Sequence, residues 1–144
     1  MKSREFYSST AWKWFSRYVL LYYSVDGAVQ CRTSGRWYNC NNKKIHCGHL
    51  IKVFESGGKT NNSTAFDFRN VLPQCEEHNR FMGGNELKML DAIEETFGKG
   101  TYDELKQKAR FHFRLDKVTL KEISDEYRVK FNELANTKGN PWKK

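Results

Sequence analysis

The chain has 144 residues, with 25 Lys+Arg against 17 Asp+Glu, a formal net charge of +8 and a pI near 9.4. This length predicts one domain with a core large enough to fold without disulfide staples, and the 15% aromatic content supplies much of its apolar area. The longest apolar run, Val19 to Tyr23, is far short of the ~20 residues of a bilayer span, and no apolar stretch follows the charged N-terminus to make a secretory signal.

The reading is therefore a cytoplasmic protein with no membrane contact. In that compartment Cys31, Cys40, Cys47 and Cys75 are thiols or metal ligands rather than disulfides, and the Asn62-Ser63-Thr64 sequon is chance.

In chain order, Ser9 or Thr10 caps a helix whose apolar positions Trp12, Phe15, Val19 and Tyr22 recur every three or four residues until Asp26-Gly27. From Ala28 to Pro73 the pattern breaks into short pieces that predict two or three strands: Ala28 to Cys31, Ile45 to Phe54, and the alternation Thr64, Phe66, Phe68. Glu55 to Ser63, with Gly57-Gly58 inside it, reads as a hairpin connection or a mobile loop facing substrate. After Pro73 the chain turns helical. A short turn from Cys75 to Met82 ends at Gly83-Gly84, Asn85 caps a helix stopped by Gly98, and Thr101-Glu104 and Thr119-Glu122 are capping boxes for two more. Asn136 to Lys144 reads as a frayed tail, and His112 as structural on a helix face.

Charge is uneven along the chain. Residues 1–72 hold 11 basic and 4 acidic side chains, net +7, and residues 73–144 hold 14 and 13, net +1. A basic, aromatic first half suits a polyanion-binding face; a solvated surface tuned for solubility is the other reading.

Three of the four histidines fall in the stretch from His46-Cys47-Gly48-His49 to Gln74-Cys75-Glu76-Glu77-His78-Asn79, with Arg69-Asn70-Val71 between. A neutral imidazole takes a proton from water at neutral pH, which makes His49 the candidate general base. An Asn carbonyl accepts from imidazole N–H and fixes its tautomer, the role read for Asn70. Asn79 offers a hard oxygen to Mg²⁺, and His46 is the second candidate ligand of that ion. Cys47 reads as a small buried residue, and Asp67 has no assigned role.

The ordered set Gly48-His49, Arg69-Asn70-Val71, Gln74-Cys75-x-x-His78-Asn79 and Gly84-Asn85 resembles the HNH endonucleases of the ββα-metal (His-Me finger) superfamily. More narrowly, it is similar to the NinG (Rap) recombination nucleases of lambdoid phages over roughly residues 11 to 98. The resemblance implies an α+β fold in one domain, 1–144: an N-terminal helix (1–27), a ββα-metal core (28–98) and a helical extension (99–144). It also implies a phage-encoded DNA endonuclease working in a host cytoplasm with Mg²⁺ or Mn²⁺. Its substrates would be branched recombination intermediates, such as Holliday junctions and D-loops. Symmetric junction cleavage would need two active sites, hence a homodimer.

The family's paired zinc cysteines are only partly present, because Ser34 and His78 stand at two of the positions. Cys31, Cys40, Cys75 and His78 are the alternative four-ligand set for a structural zinc, and ordinary packing is the rival reading. Arg32, Arg36, Lys43, Lys44, Lys52, Lys59 and Arg69 are the candidate DNA-backbone contacts. A sequence-selective HNH nicking nuclease and a non-catalytic zinc-stabilised DNA-binding module are the two other functions considered.

Overall fold

The structure is a computed structural model describing residues 1–55, 58–81, 85–111 and 113–143, without the side chains at 80 and 81. The architecture is α+β: helices gathered around two small two-stranded antiparallel sheets. Among the described residues no helix is long and apolar enough to cross a membrane.

The first element is one the sequence pattern did not announce. Helix α1 (Ser3–Tyr7) has no side-chain cap and is held by tertiary burial of Phe6, which is wholly enclosed. Helix α2 (Thr10–Tyr22) starts as expected, with Ser9 Oγ accepting from Trp12 N–H at 3.2 Å. It buries Phe15, Val19 and Leu21.

Strands β1 (Ala28–Gln30) and β2 (Trp37–Asn39) pair in the register Val29↔Tyr38 around a turn at Gly35. β2 was not read from the sequence because its three residues are largely exposed and carry no apolar alternation.

Strands β3 (Ile45–His49) and β4 (Val71–Cys75) form the central pair, aligned from Ile45↔Cys75 to His49↔Val71. The predicted strand through Phe54 stops at His49. The predicted strand over Thr64 to Phe68 is instead two 3₁₀ turns, Asn62–Thr64 and Phe68–Asn70, because Asp67 accepts from Arg69 N–H and closes the chain locally. β4 then carries the chain past Pro73 as far as Cys75, and the expected turn to helix begins only afterwards. A single π-helical turn, Glu77–Phe81, follows.

Helix α3 (Glu86–Phe97) ends at Gly98 as read, but Asn85 precedes it in a left-handed conformation (φ 48°) with no cap bond of its own. Helix α4 (Thr101–Ala109) has Gly100 at its N-cap, so Thr101 lies inside the helix and its hydroxyl donates to Gly98 O. Helix α5 (Lys117–Lys138) begins two residues before the expected Thr119, because Asp116 accepts from Thr119 N–H at 2.8 Å. Neither capping box forms as read.

The supposed tail is docked. Trp142 packs against Phe131 (5.7 Å between ring centres), and Lys138 Nζ donates to Leu21, Tyr22 and Ser24 carbonyls at 3.0, 2.9 and 2.7 Å. These carbonyls lie at and just beyond the C-terminal end of α2, where Leu21 O also accepts from Ser24, so one ammonium gathers that helix end and opposes its negative pole. Replacing Lys138 by Met is expected to cost about 1–2 kcal/mol, a fall of about 2–6 °C in the thermal midpoint followed by circular dichroism.

Candidate active site

The centre of the site is the last residue of β3. β3 turns His49 into a pocket of rings from α1, α2 and the following loop. Trp12 stacks on the imidazole at 5.0 Å with 26° between planes, and Phe6 lies 6.4 Å away. The residue is 8% exposed. Burial pulls its pKa from the ordinary 6.5 down to about 4, opposed by a bond to Ala65 O that favours the charged form. His49 is therefore neutral at neutral pH.

That bond also fixes the tautomer. His49 Nε2 lies 2.9 Å from the Ala65 carbonyl oxygen, which only accepts, so Nε2 carries the hydrogen and Nδ1 keeps a bare lone pair.

Asn70 does not do this work, contrary to expectation. Fully buried, its amide accepts from Ile51 N–H at 2.8 Å and donates to Ile51 O and Thr64 O, both at 3.0 Å. It therefore folds the long connection between β3 and β4 back on itself. Asn61 helps, its amide donating to Lys52 O at 2.8 Å and its backbone N–H bonding Val53 O. Phe54 bridges to Thr60 above them, so the expected loop is closed on both sides of residues 56 and 57, which lie outside the described residues.

His46 and Asn79 meet His49 at one opening. A cleft of about 530 Å³ is lined by His46, His49 and Asn79 together with Tyr7, Trp12 and Lys52. A contiguous recess of about 250 Å³ shares His46, His49 and Asn79 and is floored by Cys47. His46 Nε2 donates to Lys43 O at 2.9 Å, which again leaves Nδ1 as the free acceptor. Of the candidate catalytic and ion-binding residues, three therefore line one cleft while Asn70 lies behind it as its brace.

At the mouth the side chains available to a divalent ion are the His46 imidazole and the Asn79 amide, which leaves the other coordination positions to water and substrate. Among the described residues no carboxylate lines either cleft. Such a neutral N/O pair suits Mn²⁺ or another borderline ion better than Mg²⁺.

Gly48 has a packing reason. A Cβ built on it would collide with Gln74 Oε1 and lie 3.1 Å from Gln74 Cβ. Gln74 reaches under β3 from β4, fully buried, with its Nε2 donating to Thr33 Oγ1 at 3.2 Å. Gly48→Ala is expected to destabilise by about 1–3 kcal/mol, and a double-mutant cycle with Gln74→Ala, read by urea unfolding, should show strong coupling.

The four expected zinc ligands are not gathered around one point. Cys31 Sγ accepts from Cys75 N–H at 3.1 Å and Ser34 N–H at 3.3 Å and lies 3.4 Å from Thr33 Oγ1. Burial raises its pKa, but the bonds from Ser34, Thr33 and Cys75 outweigh this and bring it to about 7. Cys75 Sγ donates to Ser34 Oγ, Cys40 Sγ faces Leu20 O at 3.9 Å, and His78 Nδ1 accepts from the Asn85 amide at 3.0 Å. Among the described residues no group of three or more His, Cys, Asp or Glu is placed to hold a metal ion. As placed, Cys31, Cys40, Cys75 and His78 do not form a four-ligand zinc set.

The basic residues divide. Lys52 lines the His49 cleft; Lys43 and Lys44 are exposed just before β3. Lys59 is exposed with Glu55 3.9 Å away, and Arg36 pairs with Glu77. Arg32 and Arg69 are occupied within the fold, which lowers their value as phosphate contacts. Arg32 donates to Thr96 Oγ1 and lies over the Tyr23 ring, and Arg69 bridges Asp67 and Glu104. Asp67 thereby gains a role: its carboxylate, 8% exposed, also binds Lys108 at 2.8 Å and ties the loop to α4. His112 lies outside the described residues.

Sequence reasoning missed Trp12, Tyr7 and the Ala65 carbonyl as parts of the site. Trp12 fitted the apolar stripe of α2, so nothing in its local pattern set it apart from core.

The neutral buried imidazole has a consequence for stability. Its folded-state pKa lies below the unfolded value, so the unfolded chain takes the proton first as pH falls. The contribution is complete above pH 6.5 and is lost between 6.5 and about 4, up to about 3 kcal/mol. Urea midpoints from pH 7 to 4.5 should fall more steeply for the wild type than for His49→Gln. Compared with protein-family models, with curated proteins and with solved structures, the chain has no match.

Proposed function

We propose that the chain is a divalent-metal-dependent DNA endonuclease of the HNH, ββα-metal type, hydrolysing phosphodiester bonds. The observation that carries the reading is the convergence of His46, His49 and Asn79 on one cleft, with His49 neutral and its Nδ1 bare. The β3–β4 pair followed by the turn that bears Asn79 stands as the ββα core of this proposal.

His49 Nδ1 accepts the proton of the water that attacks phosphorus. The Ala65 carbonyl, already bonded to Nε2–H, strengthens its hold as the ring becomes cationic, and the stacked Trp12 face favours that cation further. A phosphodiester in the cleft brings negative charge, which raises the proton affinity of His49 from its low resting value when it is needed. Lys52 lines the same cleft and supplies a positive charge to the phosphate. His46 and Asn79 would hold the ion, which when bound neutralises charge developing on phosphorus and the leaving oxygen.

The resemblance to the NinG group makes branched DNA the substrate in this proposal, with a homodimer for paired cuts. The test is cleavage of a labelled four-way junction beside a linear duplex of the same sequence, in Mn²⁺ and in Mg²⁺. Junction cleavage is the expected result; cleavage of the duplex alone keeps the nuclease and removes the branch preference. No cleavage of either substrate overturns the proposal.

A further inference from the structure

The His49 cleft does not end at its own walls. Lys52 belongs both to it and to a neighbouring groove of about 380 Å³, which Lys59, Lys106 and Arg110 also line. Lys59 and Arg110 in turn belong to a third groove of about 690 Å³, whose other wall carries Phe111, Phe113 and Arg114. The three are contiguous. Glu55 and Glu86 line the middle groove, and among the described residues no carboxylate lines the third.

The two phenylalanines are unusual for a surface. Phe111 is 73% and Phe113 48% exposed, in the connection between α4 and α5, flanked by Arg110 and Arg114. The backbone there is held from beneath: Asn62 donates to Phe113 O at 3.0 Å, Ser63 Oγ to Lys108 O at 2.8 Å, and Phe111 N–H to Lys108 O at 3.1 Å. The rings are thus displayed on an anchored chain. Among the described residues no carboxylate lies within ion-pair distance of Arg110 or Arg114, although Asp116, two residues on, feels the Arg114 charge. A ligand for this face must therefore be anionic along its length and offer flat apolar faces at intervals, which is the chemistry of a nucleic-acid strand with its bases unpaired.

We propose that this groove is a subsite for an unpaired nucleic-acid strand: its phosphates follow Lys59, Arg110 and Arg114, and successive bases stack on Phe111 and Phe113. The inference deepens the nuclease reading, on which it rests for placing the scissile phosphate at His49, and it gives the substrate a single-stranded portion.

Anisotropy of a fluorescein-labelled dT20 and of a labelled hairpin duplex, titrated with the full chain in EDTA, tests binding apart from cleavage. The expected result is that Phe111→Ala/Phe113→Ala weakens dT20 binding at least about tenfold while leaving the duplex within about twofold. Arg110→Ala/Arg114→Ala should lower the single-strand salt slope by about 1.4. All four substituted positions are on the exposed loop, and an unchanged melting temperature checks that the fold is intact. Equal affinity of the phenylalanine variant and wild type for dT20 overturns the proposal. So does loss of a dimer in that variant with oligonucleotide binding unchanged, which would give the face to a second copy of the chain. Phenylalanine-dependent binding without any cleavage by the wild type would sink the nuclease reading and leave the subsite; cleavage with phenylalanine-independent binding would do the reverse.

Discussion

A His49→Gln chain should fold, bind DNA and cleave it roughly 10²–10⁴-fold more slowly than the wild type, the range expected for removal of a general base. Gln suits this test because the site demands a planar group. Its amide fits between Trp12 and the Ala65 carbonyl and can donate to that carbonyl, but offers no basic lone pair to water. Ala at the same position would leave a void beside Phe6 and Trp12, mixing a packing loss with the chemical one. Single-turnover cleavage at saturating protein separates the chemical step from binding. Equal rates for wild type and His49→Gln would remove His49 from the mechanism. At sub-saturating protein, where the wild-type rate reports the free site, it should also stay high well below pH 6.5, since burial keeps the unliganded imidazole deprotonated in acid where a free histidine is already charged.

Asn70→Ala should act on the fold before it acts on the chemistry, costing about 4 kcal/mol. The truncation leaves Thr64 O without its partner in a buried setting, at about 1–3 kcal/mol, strips Ile51 N–H and O of theirs in a partly buried one, and removes the packed amide itself. Against a typical total of about 5–15 kcal/mol, such a loss shows at once in thermal or urea unfolding. Asn70→Asp sharpens the test. It keeps the acceptor for Ile51 N–H but turns a carboxylate toward two carbonyl oxygens, so it should be no better tolerated than Ala. If Asn70 oriented the imidazole instead, both variants would melt near the wild type and lose rate alone.

What could be read in advance followed from local rules. Ser9 announced α2, Gly98 announced the end of α3, and the spacing of His46, His49 and Asn79 placed three residues on one cleft without any knowledge of the loop between them. What could not be read depended on competition or on distance. Thr119 reads as a cap until Asp116, three residues earlier, takes its N–H. Phe66 and Phe68 alternate like a strand, but Asp67 bonds Arg69 N–H and curls the chain. Asn70 looked like a partner for the imidazole because His and Asn are a familiar pair. Its true partners, Ile51 and Thr64, are backbone groups, and a sequence gives backbone groups no signature. Trp12 and His49 meet only after β3 has been laid against α2.

The clasp between the two ends of the chain sets an order of events. α2, which carries Trp12 to the site, is held by α5 through Phe15–Tyr127 at 4.8 Å, Trp14–Phe131 at 5.5 Å and the Lys138 bonds to carbonyls more than a hundred residues earlier. On the ribosome α5 is made after every residue of the cleft, so the helix that carries Trp12 waits for α5 before it is fixed. A nascent chain that has not yet released α5 therefore carries every residue of the cleft without the assembled cleft.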